Sequence, residues 1–168
     1  MSNKIPYINP DQDVNVNMGL LMLVILFLGK SIRGTSLLNN DRLLLFLYII
    51  KNPVILENVL EQVGRREISL TNVESYSINS IAINLDPLFD RVWLKSLLMR
   101  LSALGYLDVA YRKNDGFMYL LTGTGTTVAE NISGPYFDRV KQYLKNLAAL
   151  KSESTINLNR LLNNIFRH

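Results

Sequence analysis

Apolar positions in this chain come first as dense blocks and later as stripes. "MGLLMLVILFLGK" and "DRLLLFLYIIKNP" are apolar on every side, which predicts helices sandwiched within a core rather than laid on its surface. The first is predicted over about Asn17 to Ile32, with Gly34 closing it. Asn39 or Asn40 caps the second, which is apolar from Leu43 to Ile50. Pro53 stops it, because the residue before a proline disfavours α geometry. "PVILENVLEQVGRRE" predicts a third helix with proline in its first turn and Gly64 near its end. Its Leu56, Val59, Leu60 and Val63 recur at helical spacing. Residues 65–85 keep no period and are expected to be irregular or short helix.

The second half changes rhythm. "DPLFDRVWLKSLLMRLSALG" predicts a fourth helix, capped by Asp86, with Pro87 in first position and Gly105 ending it. In "YLDVAY" alternate residues Leu107, Val109 and Tyr111 share one face, as a half-buried strand requires. "RKNDG" supplies turn chemistry and "FMYLL" the returning strand. "TGTGTTVAEN" opens a short helix. Gly134-Pro135 breaks the chain before a helix carrying a Tyr136, Phe137, Val140, Leu144, Leu147 stripe.

After the polar link "KSEST" comes a tail in which Leu158, Leu161, Leu162, Ile165 and Phe166 fall on one helical face. The expected organisation is an extended arm over 1–16, a winged-helix domain with N-terminal helices over 17–150, and an amphipathic tail helix over 151–168. The fold class is mainly α with a small β-hairpin wing (α+β), a winged helix-turn-helix with helical extensions at both ends.

Composition sharpens this only in places. At 48% hydrophobic residues with mean hydropathy +0.12, the chain either packs an efficient core or keeps apolar surface for a partner. The apolar run in the first helix is about eleven residues, short of the ~20 that span a bilayer, so a buried helix and a cytoplasmic protein are expected. Net charge is +4, and the basic residues are dispersed, with no run longer than pairs such as Arg65-Arg66 and Arg112-Lys113. That permits nucleic-acid contact without arguing for it.

Catalytic chemistry is excluded largely by inventory. There is no cysteine, and His168 is the only histidine, so imidazole-assisted nucleophiles and thiol or imidazole metal sites are not expected. "GKS" at Gly29-Lys30-Ser31 has Val24 where a phosphate loop needs glycine, and a helix where it needs a strand. "DQDVN" at Asp11–Asn15 continues with Val16 and Met22 where a calcium loop needs glycine and a bidentate Glu. "GTGTT" at Gly123–Thr127 lacks a following lysine and frees the backbone at a strand-to-helix turn. No cofactor, metal, small-molecule substrate or enzymatic activity is expected.

A winged helix that reads DNA offers polar and basic side chains from its recognition helix. On the wheel of Asp90–Leu104, Leu94, Leu97, Leu98, Leu101 and Leu104 form the inner face. On the outer face Arg91, Lys95 and Ser102 share space with Val92, Met99 and Ala103. Valine and methionine suit a protein neighbour better than a phosphate, and that neighbour is either this chain's own C-terminal helices or a partner.

"YLLTGTGTTVAEN" after "LSALGYLDVAYRKNDG" resembles the wing and following helix of MarR- and PadR-like winged helices. Over Asn15 to Leu150, the order of features is similar to the middle components of ABC-three-component systems: the helix "NMGLLMLVILFLGKSI", the helix "DRLLLFLYIIKNP" with its closing proline, and the winged helix with helical tail. The resemblance implies a non-catalytic adaptor subunit that joins an ABC ATPase to an effector in a bacterial antiphage or conflict system. The competing reading is a dimeric winged-helix transcription regulator that binds DNA.

On the first reading the partner interface is expected at Val92, Lys95, Met99, Leu158, Leu161, Leu162, Ile165 and Phe166, with the tail acting between molecules. On the second, Arg91, Lys95, Arg112 and Lys113 are the nucleic-acid contacts. A homodimer and a weak DNA contact through the wing are compatible with either.

Overall fold

The computed structural model describes residues 12–65, 68–76 and 83–167. Helix α1 (Val14–Leu28) begins where Asp13 caps it, accepting from the N–H groups of Asn15 at 2.8 Å and Val16 at 3.3 Å. The cap, and not the first periodic residue, sets the start. Residues 14–16 are therefore helix where an arm was expected, and the rest of that arm, 1–11, lies outside the described residues. The helix also ends before Ile32. Past Gly29 the chain enters a tight loop in which Lys30 bridges Ser36, and the Ser31 and Thr35 hydroxyls share a 2.6 Å hydrogen bond. "GKS" is thus a helix exit.

Leu20 to Ile25 and Leu28 are all buried, because α1 runs through the middle of the fold. Among the described residues, no single helix is long and apolar enough to cross a membrane. Helix α2 (Asn40–Lys51) is capped by Asn39 and buried from Arg42 to Ile50. It bends by 108° at Asn52 into α3 (Pro53–Gln62). Among its described residues, the segment expected to be irregular holds a short helix, α4 (Asn72–Ser75), started by a capping box between Thr71 and Glu74.

The fourth predicted helix is split. Asp86–Phe89 forms a 3-10 turn, and Asp90 caps α5 (Arg91–Ala103) by accepting from the Trp93 N–H at 2.9 Å. Either aspartate is a good cap, and Asp86 sits one short turn too early. Gly105 closes α5 at φ +75°, with Tyr106 N–H on the Leu101 carbonyl and Gly105 N–H on Ser102, both at 3.0 Å. Leu94, Leu97, Leu98 and Leu101 are buried as expected. Leu104 is not: it lies past the last helical turn and is exposed.

Strands β1 (Leu107–Arg112) and β2 (Gly116–Leu121) pair antiparallel, Leu107 opposite Leu121 and Arg112 opposite Gly116. On its other edge β2 gives its Tyr119 N–H to the Leu38 carbonyl at 3.0 Å. Helix α6 (Gly123–Glu130) follows, capped by Thr122, whose Oγ1 accepts from the Gly125 N–H at 2.9 Å. A Cβ on Gly125 would stand 2.2 Å from the Tyr106 carbonyl oxygen, so the second glycine of "GTGTT" lets α6 close onto the hairpin base. Helix α7 (Pro135–Leu147) buries Val140, Tyr143, Leu144 and Leu147 and packs on α1.

The tail helix α8 (Thr155–Phe166) corrects an expectation. Leu158 and Leu162 are buried, and Leu161, Ile165 and Phe166 pack half-buried against the same core. Phe166 meets the ring of Tyr48 edge-on at 6.3 Å between centroids. Gln62 Nε2 donates to the Leu161 carbonyl at 3.0 Å, and Asn164 Nδ2 to Gln62 Oε1 at 3.2 Å. The surface this stripe needs is supplied in cis by α2 and α3. The link does not free the tail either, because the buried Arg42 guanidinium donates to the carbonyls of Lys151 and Glu153, each at 2.6 Å.

Candidate partner interface

With the tail assigned to the core, what covers the outer face of α5? Nothing among the described residues does. Val92 is 82% exposed and Met99 62%, and Lys95 and Ser102 are exposed beside them. The C-terminal helices pack on α1, α2 and α3 and leave this face open.

The hairpin stands alongside. Leu107, Val109, Tyr111, Phe117, Tyr119 and Leu121 share one sheet face by register and alternation. Near the hairpin base Leu107 and Tyr119 are buried, but toward the tip Val109 and Phe117 are about half exposed. Tyr111 and Phe117 lie opposite one another and meet edge-on at 5.4 Å. Between α5 and this face runs a groove of about 440 Å³, with Leu98, Leu107 and Tyr119 in its floor. Arg91, Lys95, Met99 and Ser102 form one wall, and Val109 and Phe117 the other. Asn40, from the start of α2, closes one end. Its Oδ1 is buried and has no hydrogen-bond partner among the described residues. Burial pushes the Tyr119 phenol pKa up, while a hydrogen bond with Asn40 pulls the other way.

Of the expected interface residues, Lys95 and Met99 line the groove, and Val92 is exposed on the same helix outside its lining. The structure separates them from Leu158, Leu161, Leu162, Ile165 and Phe166, which are in the core around α3. The expected nucleic-acid contacts are divided too. Arg91 Nη2 is ion-paired with Asp41 Oδ1 at 2.7 Å, and Arg112 Nη1 donates to the Ser36 carbonyl at 3.2 Å. Lys95 and Lys113 are exposed, on α5 and in the hairpin turn respectively. Sequence reasoning missed Val109, Tyr111 and Phe117 as surface groups. Alternation placed the first two on the inward face, and that face outruns the helix that covers it. It also missed Asp41 and Asn40, which approach α5 only once α2 is in place.

A second polar centre lies away from the groove. Arg139 on α7 holds Glu74 with both ends of its guanidinium at 2.9 Å, Nε on Oε1 and Nη2 on Oε2, and donates to the Ser69 carbonyl at 2.7 Å. The Tyr143 hydroxyl donates to the same carboxylate. The Arg139 hydrogen bonds hold the Glu74 carboxyl down at about 2, against an opposing contribution from burial. Burial, reinforced by Glu74, pushes Tyr143 well above its ordinary value. These bonds tie the 68–76 segment to α7.

A mainly helical chain in which α5 leads into an antiparallel hairpin defines a winged-helix-like α+β protein. The chain belongs to the family described as ABC-three component (ABC-3C) system Middle Component 4, which matches residues 28–160 and so takes in α5, the hairpin and the groove between them. No curated protein and no solved structure gives a match.

Proposed function

We propose that the chain is a non-catalytic adaptor of its ABC-three-component system, in the bacterial cytoplasm, joining an ABC ATPase to an effector. Its docking face is the groove between α5 and the hairpin. The observation that carries this is the exposure of Met99 on the α5 wall, across from Val109 and Phe117, with Val92 also exposed two turns before it on the same helix. Apolar groups left open together in a rimmed groove mark a protein contact, and Lys95 at the rim favours an acidic neighbour. The DNA-reading alternative is weaker. Of its four cations, Arg91 is paired with Asp41 and Arg112 spends a donor on a main-chain carbonyl, while Met99, Val109 and Phe117 put apolar groups on both groove walls.

Co-purification with the ABC ATPase and effector of the same system tests the reading. Val92→Asp with Met99→Asp should leave the melting temperature unchanged and abolish capture of at least one of them. Retained capture by that folded double variant would overturn the groove as docking face. Salt-sensitive duplex binding by the chain alone, lost in Lys95→Ala with Lys113→Ala, would favour the regulator instead.

A further inference from the structure

The hairpin has a second unfilled element, its outer edge. In an antiparallel ladder the bonding direction alternates from residue to residue. Tyr119 sends its N–H to Leu38, away from β1, so Val109 opposite it turns its own N–H and carbonyl outward from the hairpin. By the same alternation Leu107 and Tyr111 do likewise, and none of these outward groups is bonded among the described residues. The strand is exposed from Asp108 to Arg112 and has no proline and no bulge, the usual guards of an open edge.

We propose that this edge pairs with the same edge of a second copy, antiparallel about a two-fold axis at Ala110. Asp108 and Arg112 lie on one face, two residues before and two after Ala110. A two-fold there sets Asp108 of each copy opposite Arg112 of the other, giving two cross-strand ion pairs, and Val109 opposite Tyr111 on the groove face. Val109 and Tyr111 both point their main-chain groups outward, so each such pair exchanges two hydrogen bonds. Ala110, small and on the axis, allows the close approach of a non-bonded pair. Other registers lose this. Sliding by one residue either way from the axis leaves each charge opposite an uncharged residue. Sliding by two sets Asp108 against Asp108 or Arg112 against Arg112. The Arg112 bond to Ser36 uses Nη1 and leaves Nη2 and Nε for the carboxylate. The paired edge is short, so the dimer is a weak one. The proposal does not depend on the adaptor reading.

The chain has no cysteine, which makes the test clean. In the full chain with Ala110→Cys, the two thiols would face one another on Cα atoms about 4.5 Å apart, within disulfide reach. Mild oxidation should give a reducible covalent dimer. Asp108→Cys, whose sulfurs would be several residues out of register, should not. By sedimentation, Asp108→Arg should weaken self-association about tenfold or more, and adding Arg112→Asp should restore it. A folded Ala110→Cys protein that stays monomeric under oxidation overturns the proposal, and so does a wild-type monomer at high micromolar concentration. Either result would reserve the edge for a strand of a different protein.

Discussion

Arg42 and Lys151 lie 109 residues apart in sequence, and the guanidinium of the first holds the carbonyl of the second at 2.6 Å. Glu153 gives its carbonyl to the same group at 2.6 Å, and the side chain crosses the ring of Phe46 at 5.7 Å. Burial lowers the Arg42 pKa from its ordinary value. The link before α8 is thereby pinned to α2. Arg42→Met keeps the stem and removes the donors, and should cost about 2 kcal/mol in denaturant unfolding. Hydrogen exchange should show the amides of 151–158 opening first.

Leu162 is 2% exposed on the inner face of α8. Its truncation to alanine leaves a cavity against α2 and α3 and should cost about 3 kcal/mol. Deleting 155–168 should uncover Tyr48 and the α3 leucines and give an aggregating chain. A truncated protein that stays monomeric with an unchanged melting temperature would show the tail to be dispensable to the core.

Why was the tail's face legible and its place not? Period finds the stripe of Leu158, Leu161, Leu162, Ile165 and Phe166, but it does not say what lies under it. The clue was in α2. Arg42 sits in the first turn of its helix, where the macrodipole disfavours a cation, so it needed a partner from elsewhere. The outer face of α5 shows the same limit in reverse: the wheel separated Val92 and Met99 correctly, and only the packing of α7 and α8 elsewhere left them open. Helix stops were read well where glycine or proline acts locally, at Gly105 and Pro53. Starts were misread where two caps compete, as at Asp86 and Asp90. Thr71 and Glu74 spelled a capping box, but their tie to Arg139 spans 65 residues and has no local signature.

Gly125 and Gly123 offer a paired test of the turn into α6. Gly125→Ala drives a Cβ into the Tyr106 carbonyl and should destabilise by about 2–3 kcal/mol. Gly123 has nothing within 4 Å of a Cβ and a backbone that other residues adopt. Gly123→Ala should be neutral or raise stability by about 0.5 kcal/mol through the unfolded chain. Thermal melts of the two variants check the contrast, and equal effects would show that the Tyr106 approach does not constrain the turn.

Glu74 sets the acid limb of stability. Its carboxyl is held at about 2, first by the Arg139 hydrogen bonds, against an ordinary value of 4.5. A folded-state pKa below the unfolded one stabilises at pH above the unfolded value and is lost as pH falls through the folded value. The contribution, on the order of 3 kcal/mol at most, is therefore present above pH 4.5 and drains away between there and pH 2. Glu74→Gln removes the charge at every pH. Its melting temperature should lie below wild type at pH 7, and the gap should close as both are taken toward pH 2. Parallel melting curves from pH 7 to pH 2 would mean that the Glu74–Arg139 pair carries no such linkage, and the 68–76 segment would then be held to α7 by the Ser69 bond and packing alone.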